Sequence, residues 1–231
     1  MKLIHKFKSS NFDRRNREKI CYLVIHYTAL PSIEEAIDYL CEKKNKVSCH
    51  FIICQSGKIY NLVNEKHRAW HAGQSEWLSK NDLNSTSIGI ELDFSPIHKN
   101  KKFSKELIKS LIVLIKYLKK KYKIDTKNIL GHSDIAPYRK KDPGEKFPWE
   151  ILNSLNLAYY PKKDTLVELE KIRLWFKKNK IYSHKNKILI MLNIIGYDIS
   201  KSINNKYFYD ILIKSYKSHF YIRNNLKNSK N

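Results

Sequence analysis

Residues 131–149 read GHSDIAPYRKKDPGEKFPW, a stretch punctuated by Gly and Pro that holds His132 and Asp142, with Arg139, Lys140 and Lys141 just ahead of the aspartate. A second histidine, His26, is the one side chain of the apolar run ICYLVIHYT (20–28) that titrates near neutral pH. Imidazole nitrogen and carboxylate oxygen are both zinc donors, and a catalytic zinc site uses three protein ligands and keeps a fourth position open. His132 follows a short strand through Gly131, and Asp142 precedes a proline that biases it to an extended backbone. Two histidines at strand ends and one loop carboxylate, His26, His132 and Asp142, therefore make a candidate tetrahedral metal site with one open position. A core histidine at 26 and a turn-rich surface loop at 131–149 also fit these residues.

The elements that must position this set alternate between strand and helix. The run at 20–28 reads as a strand covered on both faces. PSIEEAIDYLCEKK opens with Ser32 and Glu35 at capping-box spacing and repeats Ile33, Ile37 and Leu40 as an amphipathic helix. CHFIIC, QSGK and IYNLV read as a hairpin with a Gly-containing turn. TSIGIEL (86–92) is a further strand with Glu91 near its end, Ser104–Lys121 has helical apolar spacing, and NIL leads into the quoted loop. This alternation predicts an α/β fold, a central mixed β-sheet flanked by helices, over residues 1–158. YYPKKD (159–164) reads as a linker, and 165–231 carries three helical segments, at 165–178, at 184–195 ended by Gly196, and at 206–221. A small C-terminal three-helix domain is expected.

The 231 residues suffice for one larger and one small domain, and 42% hydrophobic with 12% aromatic content is that of a folded chain. A formal charge of +23 favours an anionic partner, yet lysine is spread evenly and travels with Asn and Ile, as a compositional bias would leave it. No helix-turn-helix, RNP or zinc-finger signature supports a nucleic-acid partner, which is excluded. The basic N-terminus lacks an apolar export core, and the longest apolar stretch, ILIMLNII (188–195), is far short of the ~20 residues that span a bilayer. Cys21, Cys41, Cys49 and Cys54 form no C-x-x-C pair and read as free thiols of a reducing compartment. Cys49, His50 and Cys54 lack the fourth ligand and the spacing of a second zinc site.

LVIHYTA, SCHFIICQSGKIYNLV, RAWHAG, SIGIEL and GHSDIAPYRKKDPGEKFPW occur in one order over residues 9–155. Together they resemble the zinc-dependent N-acetylmuramoyl-L-alanine amidases of type 2, relatives of phage T7-type lysozyme and the peptidoglycan recognition proteins. The opening SSNFDRR is similar to the SPNF-x-x-R of one branch. The resemblance implies Zn2+ held by His26, His132 and Asp142, Glu91 as acid/base carboxylate, Lys140 as oxyanion-stabilising cation, and Asn11, His50, Trp70 and His71 along the substrate groove. It implies hydrolysis of the amide between N-acetylmuramic acid, 1,6-anhydro or intact, and the L-alanine of the stem peptide; the alternative is peptidoglycan recognition without hydrolysis.

NKILIMLNIIGYDIS with YDILIKSYKSHF is similar to a helical peptidoglycan-binding domain, although Ser215, Tyr216 and Lys217 stand where alanine and Phe-Gln are typical. The expected partners are peptidoglycan or muropeptide fragments, with no stable membrane insertion and a monomeric chain. A cytoplasmic location is expected from the absent signal peptide; the wall-binding resemblance would instead favour the periplasm.

Overall fold

The computed structural model describes all residues except Arg17, 98–101, 161–164 and 221–231. Of the expected linker, 161–164 lies outside the described residues, as does Tyr221 at the end of the third expected C-terminal helix.

Among the described residues ten short strands form: β1 (Leu3–Ile4), β2 (Phe12–Arg14), β3 (Tyr22–Tyr27), β4 (Phe51–Ile53), β5 (Ile59–Asn61), β6 (His67–Ala69), β7 (Glu76–Trp77), β8 (Lys80–Asn81), β9 (Ser87–Leu92) and β10 (Ile129–Gly131). Six make one mixed sheet in the order β1-β5-β4-β9-β3-β10, while β2 pairs β6 and β7 pairs β8. The strands β4, β9, β3 and β10 run parallel, and β5 turns back antiparallel on β4 as the hairpin signal predicts. The helices are α1 (Ile33–Cys41), α2 (Leu83–Thr86), α3 (Lys105–Tyr122), α4 (His132–Ile135), α5 (Trp149–Ser154), α6 (Leu166–Lys178), α7 (His184–Ile195) and α8 (Lys206–Phe220). Their starts follow the caps read from sequence: Ser32 accepts from the Glu35 N–H and Ser104 from the Leu107 N–H.

Side chains of successive strand residues face opposite ways, and the core divides accordingly. Leu23, Ile25, Ile53, Ile88, Ile90 and Ile129 join Leu107, Leu111, Leu114 and Leu118 of α3 and Trp149 and Leu152 of α5 on one face. On the other face Ile52 meets Ala36, Ile37 and Leu40 of α1. The rest of that face, Tyr22, Val24 and Leu130, is covered by Leu189 and Leu192 of α7, Leu212 and Phe220 of α8, and Tyr197 between them. Fully burying a leucine is worth about 1.5–3 kcal/mol, so α7 and α8 are held to the sheet by core contacts of the same kind as those under α3, though fewer in number. By contrast α6 buries only Phe176 and leaves Leu166, Val167, Leu169, Ile172, Leu174 and Trp175 exposed. Among the described residues no helix is long and apolar enough to cross a membrane, and all four cysteines are free thiols.

Glycine is required at two close approaches. A Cβ on Gly196, which has φ +137° and ends α7, would lie 2.6 Å from the Trp77 ring, and one on Gly89 in β9 would lie 2.4 Å from Cγ of His71. Overpacking of this kind typically costs about 1–3 kcal/mol. Gly89→Ala should lower the thermal midpoint by several degrees and displace the His71 ring, read by melting and by the imidazole NMR signals; an unchanged midpoint would show that the ring has room to move.

Candidate metal centre

In open α/β sheets ligands gather beyond the carboxyl ends of the strands, and the candidate residues lie there, on β3, β9 and the turn after β10. The register sets His26 directly beside Glu91, and Gly131 beside Ile25, so the next residue, His132, arrives next to His26. His132 opens α4, and Ser133 N–H donates to Asp142 O at 2.8 Å, which folds the 131–149 loop back so that Asp142 faces both histidines. His26 Nδ1 lies 2.9 Å from His132 Nδ1 and 3.1 Å from Asp142 Oδ2, and His132 Nδ1 lies 3.0 Å from the same oxygen. All three side chains are buried.

The surrounding hydrogen bonds decide what those three atoms are. His132 Nε2 donates to Ala72 O at 3.0 Å, a carbonyl that can only accept, so its Nδ1 carries the lone pair in the neutral ring. Ser87 Oγ donates to Leu83 O and therefore accepts from His71 Nε2 at 3.1 Å. That leaves His71 Nδ1 to accept from His26 Nε2 at 3.0 Å, and His26 Nδ1 likewise carries a lone pair. In those neutral tautomers the two lone pairs and the Asp142 carboxylate oxygen converge within about 3 Å of one another. A cation fits that arrangement, and histidines that hold a metal are usually oriented by a hydrogen bond from their other ring nitrogen, as His71 and Ala72 O orient these. This His-His-Asp group is the one set among the described residues with metal-holding geometry.

The electrostatics agree. Burial, then the neighbouring His132, push His26 down to about 4, which keeps the ring neutral at physiological pH. Burial pushes the Asp142 carboxyl up, but charge and hydrogen bonds from His132 and His26 outweigh it and hold the group well below the usual carboxylate range. Glu91 goes the other way: burial first, then the charge of Asp142, push it up to about 8 against the opposing pull of Lys140. Its Oε2 is buried without a hydrogen-bond partner. Two carboxylates in one site thus have their proton affinities pushed apart, the pattern of an anionic ligand beside an acid/base.

Of the three cations before Asp142, Lys140 is half-buried and its charge acts on both His26 and Glu91. Arg139 gives its guanidinium to Ala72 O and Gln74 O at 2.7 and 2.8 Å, beside His132 Nε2, and Lys141 is exposed.

The four residues expected along the groove have the following surroundings. Asn11 is buried and gives its amide to Glu42 O and Val47 O, which pins the N-terminal segment to the end of α1. His50 is fully buried and accepts at Nδ1 from Gly89 N–H, with Arg15 and His67 O at Nε2; burial and Arg15 push it down to about 3. His71 is buried behind His26 and acts as the relay described above. Trp70 is half-buried and donates to Asp13 from its indole nitrogen at 2.7 Å. The first three therefore hold the framework as positioned, because their polar atoms are spent inside the fold.

Two features escape a reading by sequence alone. The Arg15 guanidinium reaches His67 O, Asn84 O, Ser85 O and Ser87 O, tying the chain before β3 to the segments that precede β9. Asp134, two residues after a metal-site histidine, is fully buried yet is an ordinary turn residue in sequence. The large cleft of about 1110 Å³ also lies away from the metal centre, between α3, α5 and α8, with Phe103, Trp149 and Tyr160 below and Lys105, Lys146 and Lys217 around it.

Comparison with known proteins gives concordant matches. The chain is 38% identical over 156 residues to N-acetylmuramoyl-L-alanine amidase AmiD of Escherichia coli (strain K12), covering 62% of this chain but just over half, 55%, of that relative. It is 35% identical over 164 residues to 1,6-anhydro-N-acetylmuramyl-L-alanine amidase AmpD of Haemophilus influenzae, covering 63% of this chain and 88% of the relative. Among solved structures, the complex of E. coli AmiD with anhydro-N-acetylmuramic acid-L-Ala-D-gamma-Glu-L-Lys superposes with a TM-score of 0.73 at 28% identity, over 94% of this chain and 84% of that one. Pseudomonas aeruginosa AmpDh3 with anhydromuramic pentapeptide gives 0.71 at 27%, over 92% and 86%. Both likenesses run past the sheet into the C-terminal helices. The family described as N-acetylmuramoyl-L-alanine amidase (Amidase_2) matches residues 16–145, more than half of the sequence and every residue of the metal centre, and this chain belongs to it.

Proposed function

We propose that the chain hydrolyses the amide between N-acetylmuramic acid and the L-alanine of peptidoglycan stem peptides, with zinc held by His26, His132 and Asp142. The observation that carries this reading is the convergence of two imidazole nitrogens and a carboxylate oxygen at 2.9–3.1 Å from one another. Bound there, zinc supplies a Lewis acid that polarises a carbonyl and brings the pKa of a water toward ~7. Glu91, at its unpartnered Oε2, takes the proton from the attacking water and returns it to the departing alanine nitrogen. The Lys140 ammonium offsets the negative charge that develops on the carbonyl oxygen. His71 and Ala72 O keep the two ligand rings turned with Nδ1 toward the reaction.

The substrate in this reading is a 1,6-anhydro muropeptide, supported by the ligands named for the AmiD and AmpDh3 structures. Soluble fragments of that kind suit a recycling role in the cytoplasm, and residues 165–231 serve as a peptidoglycan-binding-like unit. Recognition without hydrolysis would be favoured by a lost ligand or a lost acid/base, and all are present.

His132→Ala should abolish zinc content, read by elemental analysis, and release of free stem peptide, read by mass spectrometry; a variant that keeps full turnover overturns the reading. Glu91→Gln should keep its zinc and lose about 10²–10⁴-fold in rate.

A raised Glu91 pKa also has a stability consequence with a definite sign. The folded chain holds this proton more tightly than the unfolded one, so the contribution is intact below about 4.5 and is lost as pH rises through about 8. Metal-free Glu91→Gln should therefore melt with the parent near pH 4.5 and above it at pH 9. A parent that melts higher at pH 9 contradicts the shift.

A further inference from the structure

Three hydrogen bonds from the C-terminal helices end on the turn that carries His132. Tyr197 Oη donates to Asp134 Oδ1 at 2.5 Å, His219 Nδ1 donates to Asp134 Oδ2 at 2.6 Å, and Ser215 Oγ donates to Ser133 O at 2.6 Å. Within the turn, Asp134 Oδ2 accepts from Gly131 N–H at 2.7 Å, and Ser133 N–H donates to Asp142 O. The residues on both sides of His132 are thus fixed from outside the sheet, and Asp142 is tied to the same turn.

These groups are dry: Asp134 and Tyr197 are 0% exposed and His219 is 2% exposed. A buried carboxylate is tolerated only while its donors are in place, so Asp134 has one stable position, the one set by Gly131, Tyr197 and His219. His219 is itself held flat between Trp149 and Phe220, with ring centroids at 3.6 and 3.9 Å. The Ser215 hydroxyl is buried and given to the turn beside His132.

We infer that Tyr197, Ser215 and His219 are positioning residues of the metal centre, so that the C-terminal helices complete the three-ligand site as well as covering the sheet. This inference rests on the metal reading of His26, His132 and Asp142. It differs from simple docking of helices because the same interface holds another phenol, on the loop between His132 and Asp142, whose hydroxyl bonds to no group of the His132 turn: Tyr138 Oη donates to Asp198 O at 2.8 Å and pairs with Ser202 Oγ at 2.9 Å.

The test uses the full chain as parent, Tyr197→Phe, Ser215→Ala and Tyr138→Phe, with zinc affinity from competition against a chromophoric chelator and thermal midpoints of the metal-free forms. Loss of an outer-shell partner typically weakens metal binding about 10–100-fold, and the lower end is expected for Tyr197→Phe and Ser215→Ala. Tyr138→Phe should lower the midpoint as Tyr197→Phe does while keeping the parent's zinc affinity. Parental zinc affinity in both Tyr197→Phe and Ser215→Ala overturns the inference, as does equal weakening in Tyr138→Phe, which would reduce the effect to docking. A parent chain that binds no zinc would overturn the metal reading and this inference with it.

Discussion

Three potential ligand atoms held about 3 Å from one another in a dry interior are the constraint on which the rest of the molecule depends. His26, His132 and Asp142 come from two parallel strand ends and a returning loop, so none can relax without moving a strand or breaking the Ser133–Asp142 link. Each imidazole is turned by its far nitrogen, one through Ala72 O and the other through a chain of His71, Ser87 and Leu83 O. The chain reaches across β9 only because Gly89 leaves room for the His71 ring. Packing, register and hydrogen bonding thus serve one requirement, the closeness of those three atoms.

The same setting gives two carboxylates opposite characters. Asp142 is kept anionic by the imidazoles it touches, whereas Glu91, one strand over and without a donor at Oε2, is pushed toward its neutral form. A cation at the three acceptors shifts Glu91 back toward ionisation, because an opposite charge nearby favours the charged state. Lys140 acts on Glu91 in the same sense. Acid/base capacity near neutral pH then follows from burial and charge placement rather than from any unusual chemistry of the residue.

Much of this was legible in the sequence, for identifiable reasons. Strand periodicity, the Ser32 and Ser104 caps, and Gly196 ending α7 are local signals, and they mark the elements within a residue or two. The candidate ligands stood out because they sit at strand ends and in a Gly/Pro-marked loop, and the structure brings the three side chains together. What stayed hidden depends on contacts between residues far apart in the chain. Nothing local distinguishes His71 and His50, buried behind the site, from histidines lining a groove, since both environments suit an imidazole in an apolar segment. Asn11 likewise carries no mark of the two backbone carbonyls 31 and 36 residues away that absorb its amide. Asp134 read as a turn former because its partners, Tyr197 and His219, lie 63 and 85 residues downstream.

The close fit of α7 and α8 against the sheet also bears on how such a chain can be rearranged in evolution or by design. A helical unit that merely hung from the sheet could be exchanged for another targeting module by cutting at 159–164. Here the cut would leave Tyr22, Val24 and Leu130 without cover and Asp134 with a buried charge that has lost two of its donors. Recombination at that boundary is therefore constrained by the interior of the part that holds the sheet. A workable chimera must bring its own tyrosine and histidine to the same carboxylate, or replace the carboxylate as well.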